Sequence, residues 1–290
     1  MPEALRDTLT KQVISAGEGI KKIRPPLKWA GGKYRILEQI RQLLPGGNRL
    51  IEPFVGSGVV FLNTHYRRYI LNDINNDLIT FYKILKKEGA GFIDYCRRYF
   101  EPENNAEQQY YAFREEFNTT RDKVKKSALF VYLNKHGYNG LCRYNASGKM
   151  NVPFGRHRKP HLPEKEMLHF VKRSQHAALK CEDFEAVMKT ASPGDVIYCD
   201  PPYVPLNDTA YFTSYSAAGF NSEKQERLAL AAREASRKGI PVLISNHATS
   251  FTKKLYSEAK TKTLPVKRQI SCNGSKREHV MEILALYLPS

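Results

Sequence analysis

The run Asp195-Val196-Ile197-Tyr198-Cys199 has the β-branched and aromatic composition of a central strand, and it leads straight into Asp200-Pro201-Pro202-Tyr203. Proline has no N–H to give a sheet ladder and holds φ at about −65°, so the strand must end at Asp200. A carboxylate at the carboxyl end of a parallel strand, beside a rigid turn, sits where open α/β sheets bind ligands. Taken alone, these residues leave two readings open: a solvated acid capping a proline turn, or a site.

The rest of the chain alternates in the same way. Arg49–Glu52 and Tyr69–Asn72 read as strands, each followed by turn residues and then helical periodicity. From Asp77 to about Lys135 the pattern turns helical, with Leu78, Phe81, Tyr82 and Leu85 on one face and an apolar run over Ala128–Leu133. The stretch Gly137–Gly155, GYNGLCRYNASGKMNVPFG, offers Asn139-Gly140 and Ser147-Gly148 as turns of a hairpin. Strand and helix signals resume after Pro163: strands over Leu179–Phe184, Asp195–Cys199 and Pro241–Ser245, a helix over Glu223–Lys238, and a closing strand pair over Thr261–Ile270 and His279–Tyr287. The expected fold is a mostly parallel α/β sheet interrupted by a helical and hairpin module.

The 46 Lys+Arg outnumber the 29 Asp+Glu, for a net charge of +17, which points to a polyanionic partner, nucleic acid first. No apolar run is long enough for a spanning helix, and the first 22 residues have no continuous apolar segment of the secretory kind, so the expected location is cytoplasmic, with no membrane partner. Five scattered cysteines with no C-x-x-C read as free thiols, and no metal site is expected.

A second site feature is LIEPFVGSGVVFLN, Leu50–Asn63: a strand, an acid, and a Gly-x-Gly turn at Gly56 and Gly58 that lets backbone approach a ligand closely. Phe61 stands where the third glycine of a dinucleotide fingerprint would fall, so an adenosyl ligand without pyrophosphate fits better. Asp73 ends the next strand, where an acid can accept hydrogen bonds from ribose hydroxyls. The Gly-Gly-Lys of KWAGGKY, Lys28–Tyr34, fails as a phosphate loop, because Leu27 and Tyr34 stand where glycine and a serine or threonine are required.

In combination and order, KWAGGKY, EPFVGSG, YILNDIN, HGYNGLCRYN, NVPFG, CDPPY and VLISNH resemble the Dam-type DNA adenine methyltransferases, over about Pro26 to Pro289. The resemblance implies a Rossmann-like S-adenosylmethionine-dependent methyltransferase sheet with an inserted helical and β-hairpin target-recognition domain. It implies a mobile tail over residues 1–23, a catalytic domain over 24–75 and 164–290, and a DNA target-recognition insertion over 76–163. The implied activity is methyl transfer from S-adenosylmethionine to the exocyclic nitrogen of adenine in double-stranded GATC, by base flipping and direct displacement.

By the same matching, Asp200, Pro201, Pro202 and Tyr203 are the expected catalytic residues, with Asp200 and the Pro201 carbonyl accepting amine hydrogens and Tyr203 stacking on the flipped base. Trp29, Lys33, Phe54, Gly56, Gly58, Asp73 and Asp200 are expected at the cofactor. Lys28, Tyr138, Asn139, Leu141, Arg143, Asn145, Asn151 and Pro153 are expected at DNA: Tyr138 entering the stack, Arg143 at a guanine edge, Leu141 and Pro153 at a thymine methyl, and Lys28 at the other outer pair. Family members carry a tyrosine where this chain has His157. The alternatives are the same chemistry at another sequence, or a catalytically silent DNA-binding regulator; no obligate protein partner is implied.

Overall fold

The runs that read as strands pair into one sheet. In the computed structural model, the described residues are 22–204, 220–267 and 279–289, so residues 1–21 of the expected tail, Cys272 and the end of the strand expected over Thr261–Ile270 lie outside them. The strands are β1 Arg49–Glu52, β2 Arg68–Asn72, β3 Ala177–Lys180, β4 Asp195–Cys199, β5 Val242–His247, β6 Lys260–Lys267 and β7 His279–Tyr287. Their order among the described residues is β3-β2-β1-β4-β5-β7-β6. The first five pair in parallel, and β7 runs antiparallel to both β5 and β6.

Strand order reverses between β1 and β4, which opens a crevice at their carboxyl ends. Register holds the crevice closed at the other end: Arg49 lies opposite Asp195, and its guanidinium meets that carboxylate through Nε at 3.0 Å and a terminal nitrogen at 2.5 Å. The Arg49 bonds and the Ser192 N–H hold the Asp195 carboxyl below the usual range, although its burial pushes the other way.

Both faces of the sheet are covered, which is why its strands read as continuous apolar runs. Leu50, Leu71, Val196 and Leu243 face one apolar cluster with Leu78, Phe81, Phe130 and Phe170. Ile51, Ile70, Ile197 and Ile244 face the other, with Leu228 and Ala232. A fully buried side chain of this size contributes about 1.5–3 kcal/mol. The helices between β2 and β3 therefore share a core with the sheet. Asn75 caps the helix Asn76–Glu88 by accepting from Leu78 N–H, and Asp122 caps Lys123–His136 by accepting from Val124 and Lys125 N–H.

Two expectations shift. The strand expected over Leu179–Phe184 lies at Ala177–Lys180, because Asp183 caps a helix that begins at Phe184. The hairpin over Gly137–Gly155 has antiparallel bridges at Gly137–Phe154 and Tyr144–Met150 but no regular strand. Ser147-Gly148 forms its turn, with Gly148 at φ +72°, whereas Asn139-Gly140 forms a helical kink within the outgoing arm. Pro153 helps explain the interruption: its carbonyl accepts from Tyr138 N–H, but it has no N–H to return.

Candidate functional site

At the carboxyl end of β1 the chain turns through Gly56 at φ +47° and Gly58 at φ +72°, left-handed conformations that favour glycine. Gly56 N–H donates to Asp73 Oδ2 at 3.0 Å, and the Gly56 carbonyl accepts from the Tyr82 hydroxyl at 2.9 Å. A Cβ at Gly56 would stand 2.8 Å from the Trp29 ring, so the indole lies directly on the bare turn. The second Asp73 oxygen accepts from Asn75 N–H at 3.0 Å. Burial raises the Asp73 carboxyl above the ordinary range despite these two bonds. Phe54 lies to the side of the turn, with its ring 5.4 Å from both Phe184 and Phe220.

Asp200 closes the other side of the crevice. Its Oδ1 takes the Lys33 ammonium and the Ser245 hydroxyl, each at 2.9 Å. Burial pushes the Asp200 carboxyl up, and Lys33 and Ser245 pull it back. Lys33 is buried, also donates to the Gly31 carbonyl, and lies 4.4 Å over the Tyr203 ring. The Tyr203 hydroxyl donates to Glu282 at 2.9 Å, and His247 meets the ring edge-on. Cys199, beside Asp200, is fully buried, and its thiol is pushed far up by that burial, which keeps it protonated and unreactive.

Two polar residues here were given no role in the sequence reading of the site. Glu52, at the end of β1, is 2 % exposed, and its Oε1 has no hydrogen-bond partner. Burial and the nearby Asp200 carboxylate hold Glu52 well above the usual glutamate range. Its signal was present: an acid ending an apolar strand just before the glycine turn. Ser245 gave none, since a serine in a buried strand has no local mark of its partner. Ile74, next to Asp73, is 75 % exposed and adds an apolar surface at the same end of the sheet.

These residues suit an adenosyl ligand carrying a sulfonium and an ammonium group. The bare turn admits close backbone approach, Asp73 offers carboxylate lone pairs to hydroxyls, Asp200 suits positive charge, and the unpartnered Glu52 oxygen offers a hydrogen-bond acceptor. Among the described residues no cluster of metal-ligating side chains occurs, and no helix is long and apolar enough to cross a membrane.

The residues expected at DNA gather around the loop after the helix Lys123–His136. Tyr138 is 51 % exposed, and Asn139, Arg143, Asn145 and Pro153 are exposed as well. Leu141 and Asn151 are half-buried, with Leu141 packed against the core. Arg143 is held to Asn151, through Nε to Oδ1 at 2.9 Å and a terminal nitrogen to the carbonyl at 3.2 Å. The Asn145 side-chain oxygen serves the turn, accepting from Ser147 and Lys149 N–H. Cys142 and Tyr144 point inward instead, to Asn134 and to Asp77. Lys28 joins this group from the other end of the chain: a Cβ on Gly140 would stand 2.4 Å from its side chain. Burial lowers the Lys28 ammonium. His157 turns inward, with Nε2 3.2 Å from the Gly137 carbonyl.

Residues 29–271 match the family model of the D12 class N6 adenine-specific DNA methyltransferases. The chain is 50 % identical over 270 residues to the DNA adenine methylase of Escherichia coli K12, covering 93 % of this chain and 97 % of that protein. It is 48 % identical to the DNA adenine methylase of Vibrio cholerae over 271 residues, 93 % of this chain and 98 % of that protein. With the DNA adenine methylase of Serratia marcescens it shares 49 % over 269 residues, 92 % of this chain and the whole of that protein. A matched family model that runs from Trp29, beside the Gly56 turn, past Asp200, together with relatives of this identity over nearly the whole chain, makes it a member of the D12 class of N6 adenine-specific DNA methyltransferases.

Proposed function

We propose that the chain methylates adenine within GATC in duplex DNA, with S-adenosylmethionine as the donor, in the crevice between β1 and β4. The observation that carries this reading is the facing of two devices across that crevice: the Trp29-covered glycine turn with Asp73, and Asp200 with its proline turn, joined by Lys33. When bound, the donor supplies an electrophilic methyl group on sulfur.

The residues do the rest by placement. The exocyclic nitrogen of adenine is conjugated with its ring and a poor nucleophile. Asp200 and the Pro201 carbonyl accept its hydrogens and turn its lone pair toward the glycine turn. Tyr203 gives the base an aromatic face, and the base must leave the duplex to reach it. Trp29, Lys33, Phe54, Gly56, Gly58 and Asp73 shape the donor pocket, and the unpartnered Glu52 oxygen joins them as a hydrogen-bond acceptor.

Residues 76–163 supply target recognition, with 24–75 and 164–290 supplying the chemistry. The exposed Tyr138 enters the stack where the adenine leaves. Arg143, held flat by Asn151, reads a guanine edge, Leu141 and Pro153 meet a thymine methyl, and Lys28 reads the other outer pair. Asn139, Asn145 and Asn151 complete the contact surface, and the excess of +17 favours the phosphate backbone.

Labelled S-adenosylmethionine with duplexes containing GATC, each single-base variant of it, or a scrambled sequence tests the reading. Label on the adenine of GATC alone is expected. Equal labelling of the variants would move the specificity to another sequence, and binding without labelling would make the chain a silent DNA-binding protein.

A further inference from the structure

The turn that ends β4 is gripped from outside at neighbouring backbone positions. The Pro202 carbonyl accepts from Gln225 Nε2 at 2.7 Å. Two residues on, Val204 N–H donates to Asn246 Oδ1 at 3.2 Å, and the Val204 carbonyl lies 2.6 Å from His247 Nδ1. A carbonyl can only accept, so that His247 nitrogen carries the proton. The gripping groups are themselves joined: Asn246 Nδ2 donates to Gln225 Oε1 and to the Tyr256 hydroxyl, each at 3.0 Å. Gln225 and Asn246 are 1 % and 0 % exposed.

Tyr203 lies between the two grips. The peptide unit before it carries the Pro202 carbonyl, and the unit after it carries Val204 N–H. A peptide unit is planar, so holding both units fixes φ and ψ of the residue between them. Neither gripping group can follow the turn if it moves. Gln225 sits in the first turn of the helix Ser222–Arg237, whose start is capped by Asn221, and Asn246 of β5 is paired with Ile283 of β7. An apolar side chain could fill the same buried space. What an amide adds is a donor aimed at one carbonyl and an acceptor aimed at its partner amide.

We infer that Gln225 is a positioning residue for methyl transfer: through the Pro202 carbonyl it sets the orientation of the Pro201–Tyr203 turn that receives the target amine, with Asn246 as its counter-grip. The inference rests on the reading that this turn receives the adenine. Gln225 is not itself a catalytic residue, because its side chain is spent on protein groups behind the turn.

The test uses the full-length protein and its Gln225→Glu and Gln225→Met variants. For each, kcat and the KM for a GATC duplex are measured from about pH 9 down to about pH 6 and divided by the wild-type values at the same pH, which removes titrations common to all three. An ionised glutamate keeps the acceptor for Asn246 but cannot donate to Pro202; a buried glutamic acid can do both. The expected result for Gln225→Glu is a kcat reduced about 10- to 100-fold at high pH, with KM and donor affinity little changed, that recovers toward wild type as the pH falls. Gln225→Met should stay low throughout. Should the methionine variant not fold, the pH recovery of the glutamate variant decides alone. A glutamate variant that stays low at every pH with no recovery, or a methionine variant that matches wild type, overturns the positioning role. A wild-type enzyme that leaves adenine unmethylated would instead overturn the reading beneath it.

Discussion

Asn134 makes both hydrogen bonds that the backbone of Lys28 has to offer: its Oδ1 accepts from Lys28 N–H at 2.9 Å, and its Nδ2 donates to the Lys28 carbonyl at 2.8 Å. The same Nδ2 lies 3.1 Å from the Gly140 carbonyl in the loop Gly137–Gly155. Asn134 is 1 % exposed. One buried amide thus joins the loop expected at DNA to the segment whose next residue, Trp29, covers the Gly56 turn.

Asn134→Ala should lower both stability and sequence discrimination. It leaves buried backbone groups of Lys28 and Gly140 unpaired, at about 1–3 kcal/mol for each that water cannot reach. The melting temperature should fall, and the rate ratio between GATC and its single-base variants should narrow more than general DNA affinity drops. Trp29, the single tryptophan, offers a direct reporter: its fluorescence response to S-adenosylhomocysteine should shift in the variant. A variant with reduced stability but unaltered discrimination would confine Asn134 to the core.

Asp200→Ala should remove methyl transfer while duplex affinity stays within a few-fold. The carboxylate lies at the proposed amine site, and loss of such an electrostatic contact costs about 100-fold or more in kcat, whereas phosphate contacts dominate affinity. Turnover assays beside binding titrations separate the two; near-normal turnover would move the reacting centre elsewhere.

Glu52→Gln should stabilise the ligand-free protein, and more so as the pH rises. The folded carboxyl is held well above its ordinary value of 4.5, so between that value and the raised one the unfolded chain has released a proton that the folded chain keeps. Stability from this group therefore falls as the pH rises through that window, and below it the effect vanishes. Glutamine has no proton to lose. The measurement is the melting-temperature difference between variant and wild type across the window: it should grow with pH, while affinity for the cationic donor should weaken. A difference flat in pH would contradict the raised carboxyl.

Arg143→Ala should relax selection at one base pair. A guanidinium held in plane matches the two acceptors on a guanine edge, and losing such a contact costs about 1–3 kcal/mol, or roughly 5- to 150-fold in discrimination. Asn151→Ala, which frees the Arg143 guanidinium, should produce a weaker form of the same change. Rates on each single-base variant of GATC decide; a uniform loss across all of them would mark Arg143 as a phosphate contact.

The features legible in the sequence are those whose cause lies within a few residues. Prolines end β4 at Asp200 because they lack an N–H, Gly56 and Gly58 take left-handed conformations that other residues resist, and the strands and long helices follow from local apolar periodicity. Even there, local signals competed: Asn139-Gly140 carries the same turn chemistry as Ser147-Gly148, yet only the second pair closes the hairpin, because the first is bound into the kink that contacts Lys28. What only the tertiary structure decided is which polar side chains meet. Lys33 reaches Asp200 from more than half the chain away, Asn134 finds Lys28, Gln225 finds Pro202, and Glu52 is left with an unpartnered oxygen. No local pattern marks such pairs. A buried donor or acceptor takes its partner from whatever the packed sheet and helices bring within about 3 Å, and that distance exists only once the apolar faces have closed.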